Sequence, residues 1–395
     1  MALPAVGAES PMTATSRARW ARALTDEQAF RLEQDRLGRV WTLLGVAHDV
    51  RKDGDWIRAC LGGRSVFVQR FGSALKGFEN RCAHRFYPLR TADKGNGPIV
   101  CGFHHWRYDQ DGLAAGIPIC REIFGVSPRE LGARLNRLEI ATCGSLIFGR
   151  FPAAGAADSP DSPDSPDSLE QFLGEGFPIL EAMCAMPERP HRIKERIKAN
   201  WRLLIHITLD DYHNVAVHQT RRYSKNEEIR YFRFGLHSAH FVGNADTLAS
   251  MAALCRENRY RPSAYRIFNI FPNIAISLFR AVPYWYCYVQ QFVPDAPGHS
   301  TQRGWFFRTR LLAKEESTIG RLTRPITEIT RARIVRYYIN KIGGEDHRVC
   351  EQLQSVAHQI DAWPVLGTQE PRIGWFEDSY AQTVGSDRQS TGLTG

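Results

Sequence analysis

Four residues in one short stretch have the types and spacing to hold metal: Cys82 and His84, then sixteen residues, then Cys101 and His104. Two soft thiolates and two imidazoles in this order suit a [2Fe–2S] cluster with unequal irons, Cys82 and Cys101 on one iron and His84 and His104 on the other. Replacing two thiolates by neutral imidazoles removes negative charge and raises the reduction potential. A zinc ion in a Cys2His2 set is the competing reading. Arg85 directly after the first His, the aromatic-rich run His105-Trp106-Arg107-Tyr108 and the tight loop that Gly102 allows favour the cluster. Pro88 and the run 94–98 (KGNGP) supply the turns between the two ligand loops. His105 offers a second imidazole beside His104, and spacing selects His104.

A second constellation lies in 200–218, NWRLLIHITLDDYHNVAVH. His213 and His218 are five apart, about 140° off one face of a regular helix, so a bend must bring the rings together. Two imidazoles and one carboxylate make the facial triad of non-haem Fe(II) oxygenases, which leaves positions open for dioxygen and substrate. Two helix histidines with unrelated partners are the plainer alternative.

The two motifs together, in this order, resemble the alpha subunit of the Rieske non-haem iron aromatic-ring-hydroxylating oxygenases. Residues 39–150 look like their Rieske domain, and D-x-Y-H-x4-H resembles their mononuclear iron motif. The resemblance implies Asp346, in the Glu345-Asp346 pair, as the third iron ligand, with Glu351 as fallback and a dipole-favoured helix start as the plain reading of the pair. It implies Asp210, rather than Asp211, as the acid linking the two metal sites: in a head-to-tail homotrimer, His104 of one subunit would bond Asp210 of the next. The implied cofactors are the cluster and a mononuclear Fe(II). Electrons would come from NAD(P)H through a separate flavin reductase, a ferredoxin or both, because no Rossmann glycine fingerprint occurs here. A beta subunit is compatible with the resemblance. Two positions depart from the family: His105 stands where Gly is usual, and Ile205-His206 where Glu-Asn is common. Core or a position behind the ligands is the reading for His206. The implied function is that of a terminal oxygenase hydroxylating (mono- or cis-dihydroxylating) an aromatic substrate, with a lean to an aromatic acid from the positive charge. O- or N-demethylation or a quaternary amine substrate are alternatives, and a Rieske electron carrier without oxygenase activity is the rival of another class.

The elements that must position these residues read as α+β. Residues 1–38 form an arm and short helix packing on the catalytic domain, with Thr25 and Gln28 as a capping box. Short apolar runs between Gly and Asp predict a small antiparallel β domain over 39–156. The Asp/Ser/Pro-rich run 157–167 and Ser168 form a surface loop, and Ser168 opens a helix through a capping box with Gln171. Residues 169–380 form the catalytic domain, an antiparallel sheet flanked by helices. Its alternating runs over 228–310 wall a pocket that Phe268, Phe271, Ile276, Phe279, Trp285 and Phe292 are available to line. Arg280 is a candidate for an anionic substrate, and an outward, solvated side chain its plainer reading. A helix over 325–341 ends at Gly343-Gly344 and a second begins at Glu345. A disordered tail occupies 381–395.

Composition bounds the rest. The chain has 395 residues, 43% hydrophobic and 11% aromatic, and no run long enough to span a bilayer. Of nine cysteines, the seven outside the motif show no regular framework, which points to reduced thiols and the cytoplasm. The net charge of +9 comes from dispersed basic residues with no nucleic-acid motif, so no nucleic acid is expected, and a basic face could dock an acidic redox partner.

Overall fold

The computed structural model describes residues 22–152, 168–218, 228–243, 245–281, 284–309, 311, 318–360 and 364–385, without the side chains of 318–328, 331 and 332. The run 153–167, the first residues of the arm and the stretch from 386 lie outside the described residues. The fold has two compact units: Gln34–Arg189, and the residues up to Glu33 together with those from Pro190 on.

In the Gln34–Arg189 unit, short strands alternate with tight turns. They are β1 (Thr42–Val46), β2 (Asp55–Leu61), β3 (Arg64–Phe71), β4 (Ala74–Glu79), β5 (Lys94–Asn96), β6 (Ile99–Val100), β7 (Arg107–Tyr108), β8 (Ala114–Gly116), β9 (Arg137–Cys143) and β10 (Leu146–Arg150). One antiparallel sheet runs β1-β10-β9-β4-β3-β2-β5 and a smaller one β6-β7-β8. The β2–β3 hairpin turns on Gly62 and Gly63, both at positive φ (55° and 70°), which the right-handed strand twist demands of a two-residue loop. Phe67, Phe78, Leu89, Ile99, Trp106 and Leu135 close a core directly beneath the cysteine loops. The first ligand loop follows β4, and the second is the β6–β7 turn.

Residues 169–189, which the sequence reading put in the catalytic domain, group by their contacts with this unit. Their apolar side chains Leu173, Ile179, Leu180 and Met183 are fully buried. Main-chain bonds tie them down: Ser145 N–H donates to Cys184 O (2.9 Å), and Met186 N–H to Ser145 Oγ (2.9 Å). The expected capping box is present, with Ser168 Oγ accepting from Gln171 N–H at 3.1 Å.

In the second unit, the strands β11 (His191–Ile197), β12 (Ile229–Phe234), β13 (His237–Val242), β14 (Arg266–Ile270), β15 (Ile274–Ala281), β16 (Tyr284–Ala296) and β17 (His299–Arg308) pair antiparallel in the order β11-β17-β16-β15-β14-β13-β12. Three helices matter for the site: Trp201–Leu209, His213–Ala216 and Thr318–Ser355. Asn200 caps the first, its Oδ1 accepting from Arg202 N–H (2.9 Å), while its amide donates to Ala23 O and Pro297 O (3.1 and 2.6 Å).

Three details differ from the sequence reading. Thr318–Ser355 is one helix of 38 residues, running straight through Gly343-Gly344. Each Gly costs a helix only about 1 kcal/mol, and Val335 and Cys350, one on each side of the pair, are both buried. The helix Glu27–Leu37 is capped by Asp26, whose Oδ1 accepts from Ala29 N–H (2.7 Å), not by Thr25. The last helix, Pro371–Val384, carries ordered structure four residues past the expected onset of the tail at 381.

Behind Trp201–Leu209 lies a buried ionic network. Arg202 and Glu377, both fully buried, pair directly. Glu377 also meets His206 Nε2 at 2.7 Å, which places His206 in the core, as expected. Glu33 accepts from Trp201 Nε1 (2.7 Å) and from the Tyr380 hydroxyl (2.5 Å), so the N-terminal helix is stitched to this unit. Burial alone would raise the Glu377 carboxyl, but Arg202 and His206 hold it below the usual range. Glu377→Gln removes the carboxylate charge that faces Arg202 in the core, so unfolding free energy should drop by about 3–5 kcal/mol in a denaturant titration.

Candidate metal centres

The cysteine–histidine loops are near copies of one another. Cys82 N–H donates to Tyr87 O and Phe86 N–H to Cys82 O; Cys101 N–H donates to Trp106 O and His105 N–H to Cys101 O. The fourth residue after each Cys, Phe86 and His105, takes a left-handed φ (58° and 56°). That explains the departure at His105: the position asks for Gly, and here His adopts the same conformation, with its ring exposed. His104 turns inward instead, and its Nδ1 lies 3.2 Å from Nδ1 of His84. Both cysteines are 1% exposed. His84 stacks on Trp106 with ring centroids 4.8 Å apart and planes 4° apart.

Tyr108 adds a contact the spacing could not show. Its hydroxyl accepts from Ala83 N–H at 3.0 Å, so its own hydrogen is left for Cys82 Sγ, also 3.0 Å away. Burial, and then the neighbouring thiol, hold this phenol well above its ordinary range, so it stays a donor.

In the second unit the helix Trp201–Leu209 stops because Asp210 is extended (ψ 114°). Asp210 Oδ1 then accepts from Tyr212 and His213 N–H (2.7 and 3.2 Å), starting the one-turn helix His213–Ala216. This is the bend that five-residue spacing required. His213 and His218 now face each other, with Nε2 atoms 3.3 Å apart. Asp346 Oδ1 lies 3.5 Å from the first and 3.2 Å from the second. Asp346 is delivered by the long helix, which is fixed against Trp201–Leu209 one turn at a time. Cys350 Sγ reaches Leu203 O (3.5 Å) and Gln354 Oε1 accepts from Asn200 N–H (2.9 Å). Glu351 faces elsewhere, accepting from Lys198 N–H at 3.0 Å.

Among the described residues, His213, His218 and Asp346 are the one group of three whose ligand atoms all lie within 4.8 Å of each other. Donors bonded at about 2.1 Å and subtending 90–110° at a metal are about 3.0–3.4 Å apart, close to the observed triangle. Asp346 Oδ1 is buried and has no hydrogen-bond donor of its own. The donor set therefore fits one divalent ion with open positions. The Cys82/His84/Cys101/His104 quartet, two thiolates and two imidazoles, suits a binuclear cluster with unequal irons.

The electrostatics agree. Burial pulls His213 down, but Asp210 and Asp346 outweigh it and push His213 up to about 9. Burial would raise Asp346, but both imidazoles hold it below the usual range. Asp210 Oδ2 lies 3.5 Å from His213 Nδ1, a charge contact rather than a well-formed hydrogen bond. Asp211 points the other way, buried, with His240 Nδ1 at 2.8 Å and Arg372 Nη2 at 3.0 Å. Glu345, which sequence reasoning treated only as a helix-end charge, meets His218 Nδ1 at 2.9 Å. A hydrogen on that nitrogen leaves Nε2 with its lone pair toward Asp346.

A cavity of about 630 Å³ opens on this trio. Of the six apolar lining candidates, Phe279 and Trp285 line it, whereas Phe268, Phe271, Ile276 and Phe292 are buried core. Arg280 is exposed and stands in the cavity wall.

A Rieske domain beside an α+β unit with a two-His, one-Asp centre is the architecture of an oxygenase alpha subunit. Residues 40–128 match the Rieske [2Fe-2S] domain family, and residues 185–386, more than half of the chain, match the family described as ring hydroxylating alpha subunit (catalytic domain). The chain belongs to the ring-hydroxylating alpha subunits that carry a Rieske domain. Benzene 1,2-dioxygenase subunit alpha from Pseudomonas putida is 34% identical over 133 residues, 33% of this chain and 29% of that protein. The large oxygenase component of salicylate 5-hydroxylase from Ralstonia sp is 26% identical over 215 residues, 50% of this chain and 48% of that protein. The chain thus aligns with less than a third of the benzene dioxygenase subunit's length and about half of the hydroxylase component's. Naphthalene 1,2-dioxygenase from Rhodococcus sp., solved with indole, shares the fold with a TM-score of 0.71 at 17% identity, over 93% of this chain and 94% of that one.

Two outcomes check these centres. Tyr108→Phe removes the hydroxyl beside Cys82 Sγ, so the reduction potential of a cluster held by Cys82 should fall by roughly tens of millivolts in an EPR-monitored titration. Glu345→Ala frees His218 to rotate, and Co(II) titration of the metal-free protein should show affinity about 10–100-fold weaker.

Proposed function

We propose that this chain is the terminal oxygenase component of a multicomponent Rieske oxygenase, hydroxylating an aromatic substrate with dioxygen and externally supplied electrons. The observation that carries this reading is the convergence of His213, His218 and Asp346 on a cavity large enough for a ring substrate. A bare electron carrier has no use for either.

Cys82, Cys101, His84 and His104 are proposed to hold the cluster, and His213, His218 and Asp346 the mononuclear iron. Such a cluster supplies electrons one at a time, and such an iron binds and activates dioxygen. The chain's own residues do the rest. Glu345 fixes the His218 ring. Asp210 touches the outer nitrogen of His213 and keeps its carboxylate partly exposed, at 22%; in a head-to-tail trimer this is the group to receive His104 of a neighbouring protomer. Ile207, Ile267, Phe279, Trp285, Val335 and Ile339 line the cavity with apolar surface, which excludes water and stacks on a ring. Among the described lining residues one Arg, Arg280, stands against Asp210, Asp211 and Asp346, so the ring itself rather than a negative charge is the recognised feature. The electron donors are a ferredoxin, a flavin reductase or both. All nine cysteines are free, which fits the reducing cytoplasm, and no described helix is long and apolar enough to cross a membrane.

The test uses oxygen uptake and product analysis with a surrogate reductase. His213→Ala or Asp346→Ala should cut turnover by about a hundredfold or more while the visible cluster spectrum persists. Asp210→Ala should stop turnover with both metals still bound. Full activity and iron content in the Asp346 variant would remove the ligand assignment, and normal turnover in the Asp210 variant would remove the proposed electron route.

A further inference from the structure

Strands β15 and β16 supply part of the cavity wall. Ser277 pairs with Tyr288 across β15–β16, and Gln290 follows Tyr288 on the same face of β16. Both Tyr288 and Gln290 line the cavity. Behind them sits Gln302, 2% exposed. Its Nε2 donates to the Tyr288 hydroxyl at 3.3 Å and to Gln290 Oε1 at 2.9 Å. Both amide hydrogens of Gln302 are spent on this, and both neighbours are used as acceptors. What remains on Tyr288 is its O–H, and on Gln290 its NH2 group. Neither donor finds an acceptor among the described residues.

The arrangement is built rather than incidental. A Cβ on Gly304 would fall 2.9 Å from both Cε2 and the hydroxyl of Tyr288, so only glycine leaves room for the ring to lie flat over β17. Burial, and then the charge of Glu195, keep the Tyr288 phenol well above its ordinary range, so it is a donor throughout the working pH range. The one described Arg in the cavity wall, Arg280, is exposed, and Asp210, Asp211 and Asp346 line the same cavity. Two neutral donors in a mostly apolar cavity match an uncharged acceptor, since a buried carboxylate would need a paired cation.

Resting on the oxygenase reading above, we propose that Tyr288 and Gln290 receive a carbonyl oxygen carried by the aromatic substrate and so fix which edge of the ring meets His213, His218 and Asp346. The pair determines specificity and orientation and takes no part in the chemistry itself.

The measurement is equilibrium binding to the metal-loaded full chain under anaerobic conditions, followed by tryptophan fluorescence. Acetophenone, isopropylbenzene and benzoate are the probes, alike in size and unlike in acceptor. Acetophenone should bind about tenfold more tightly than isopropylbenzene. Tyr288→Phe and Gln290→Glu keep the side-chain volume, and Gln290→Glu still accepts from Gln302 while losing its donor. Each should shrink the ratio several-fold, and together they should abolish it, with isopropylbenzene binding unmoved. A wild-type ratio near one, or a ratio that survives in both variants, overturns the proposal while leaving the aromatic cavity intact. Benzoate binding more tightly than acetophenone overturns it in favour of an anion site at Arg280. Binding of none of the three overturns the aromatic reading itself, and the donor pair with it.

Discussion

Two imidazole nitrogens and a carboxylate oxygen meet at 3.2–3.5 Å inside the protein. Lone pairs at that distance repel unless positive charge sits among them. Without metal, protons supply it, which is why His213 is pushed up and Asp346 down. A divalent ion supplies it better. Much of the second unit can be understood as what is needed to hold three such groups together against their own preference.

Two covalent accidents of the chain would otherwise defeat that convergence. His213 and His218 lie on different helical faces, and Asp346 is far away in sequence. The first is solved by ending a helix: the extended Asp210 starts a one-turn helix that finishes before His218, which frees the second ring to swing back. The second is solved by a long continuous helix docked at several points along one face, Asp346, Cys350 and Gln354 being four residues apart. The Arg202–Glu377–His206 network stands behind the same segment and fixes the helix from which the bend departs. Rigidity is thus placed where a small displacement would separate the ligands.

The candidate metal ligands could be picked out because their pattern is local. Cys-x-His and Cys-x-x-His loops carry their own geometry in hydrogen bonds spanning four or five residues, and the D-x-Y-H-x4-H run contains its own bend. What was not legible depends on distant partners. Asp210 and Asp211 are neighbours of identical type, separated only because His240 and Arg372 claim the second. Gly343-Gly344 reads as a helix stop in any local account, and only packing along the whole helix overrides it. Glu345 looked like a helix-end charge until His218, 127 residues earlier, was seen beside it. The grouping of 169–189 was hidden for the same reason: nothing in those residues says which sheet their apolar face will cover.

The cluster loops show the opposite economy of design. A non-Gly residue at positive φ costs about 1–2 kcal/mol, and each loop has one, Phe86 and His105, where glycine would be free of strain. Two main-chain hydrogen bonds per loop hold these conformations in place. The result is an exposed collar, Phe86 at 67% and Phe103 at 48%, around histidines that are only half covered. The cysteines beneath are sealed at 1%. A donor set so divided places its thiolates in low dielectric, where the Tyr108 hydroxyl offsets their charge, and leaves the imidazole side as the shortest path to the surface. On the proposed assignment, His84 and His104 are the ligands nearest the surface, on the side where an electron partner would stand.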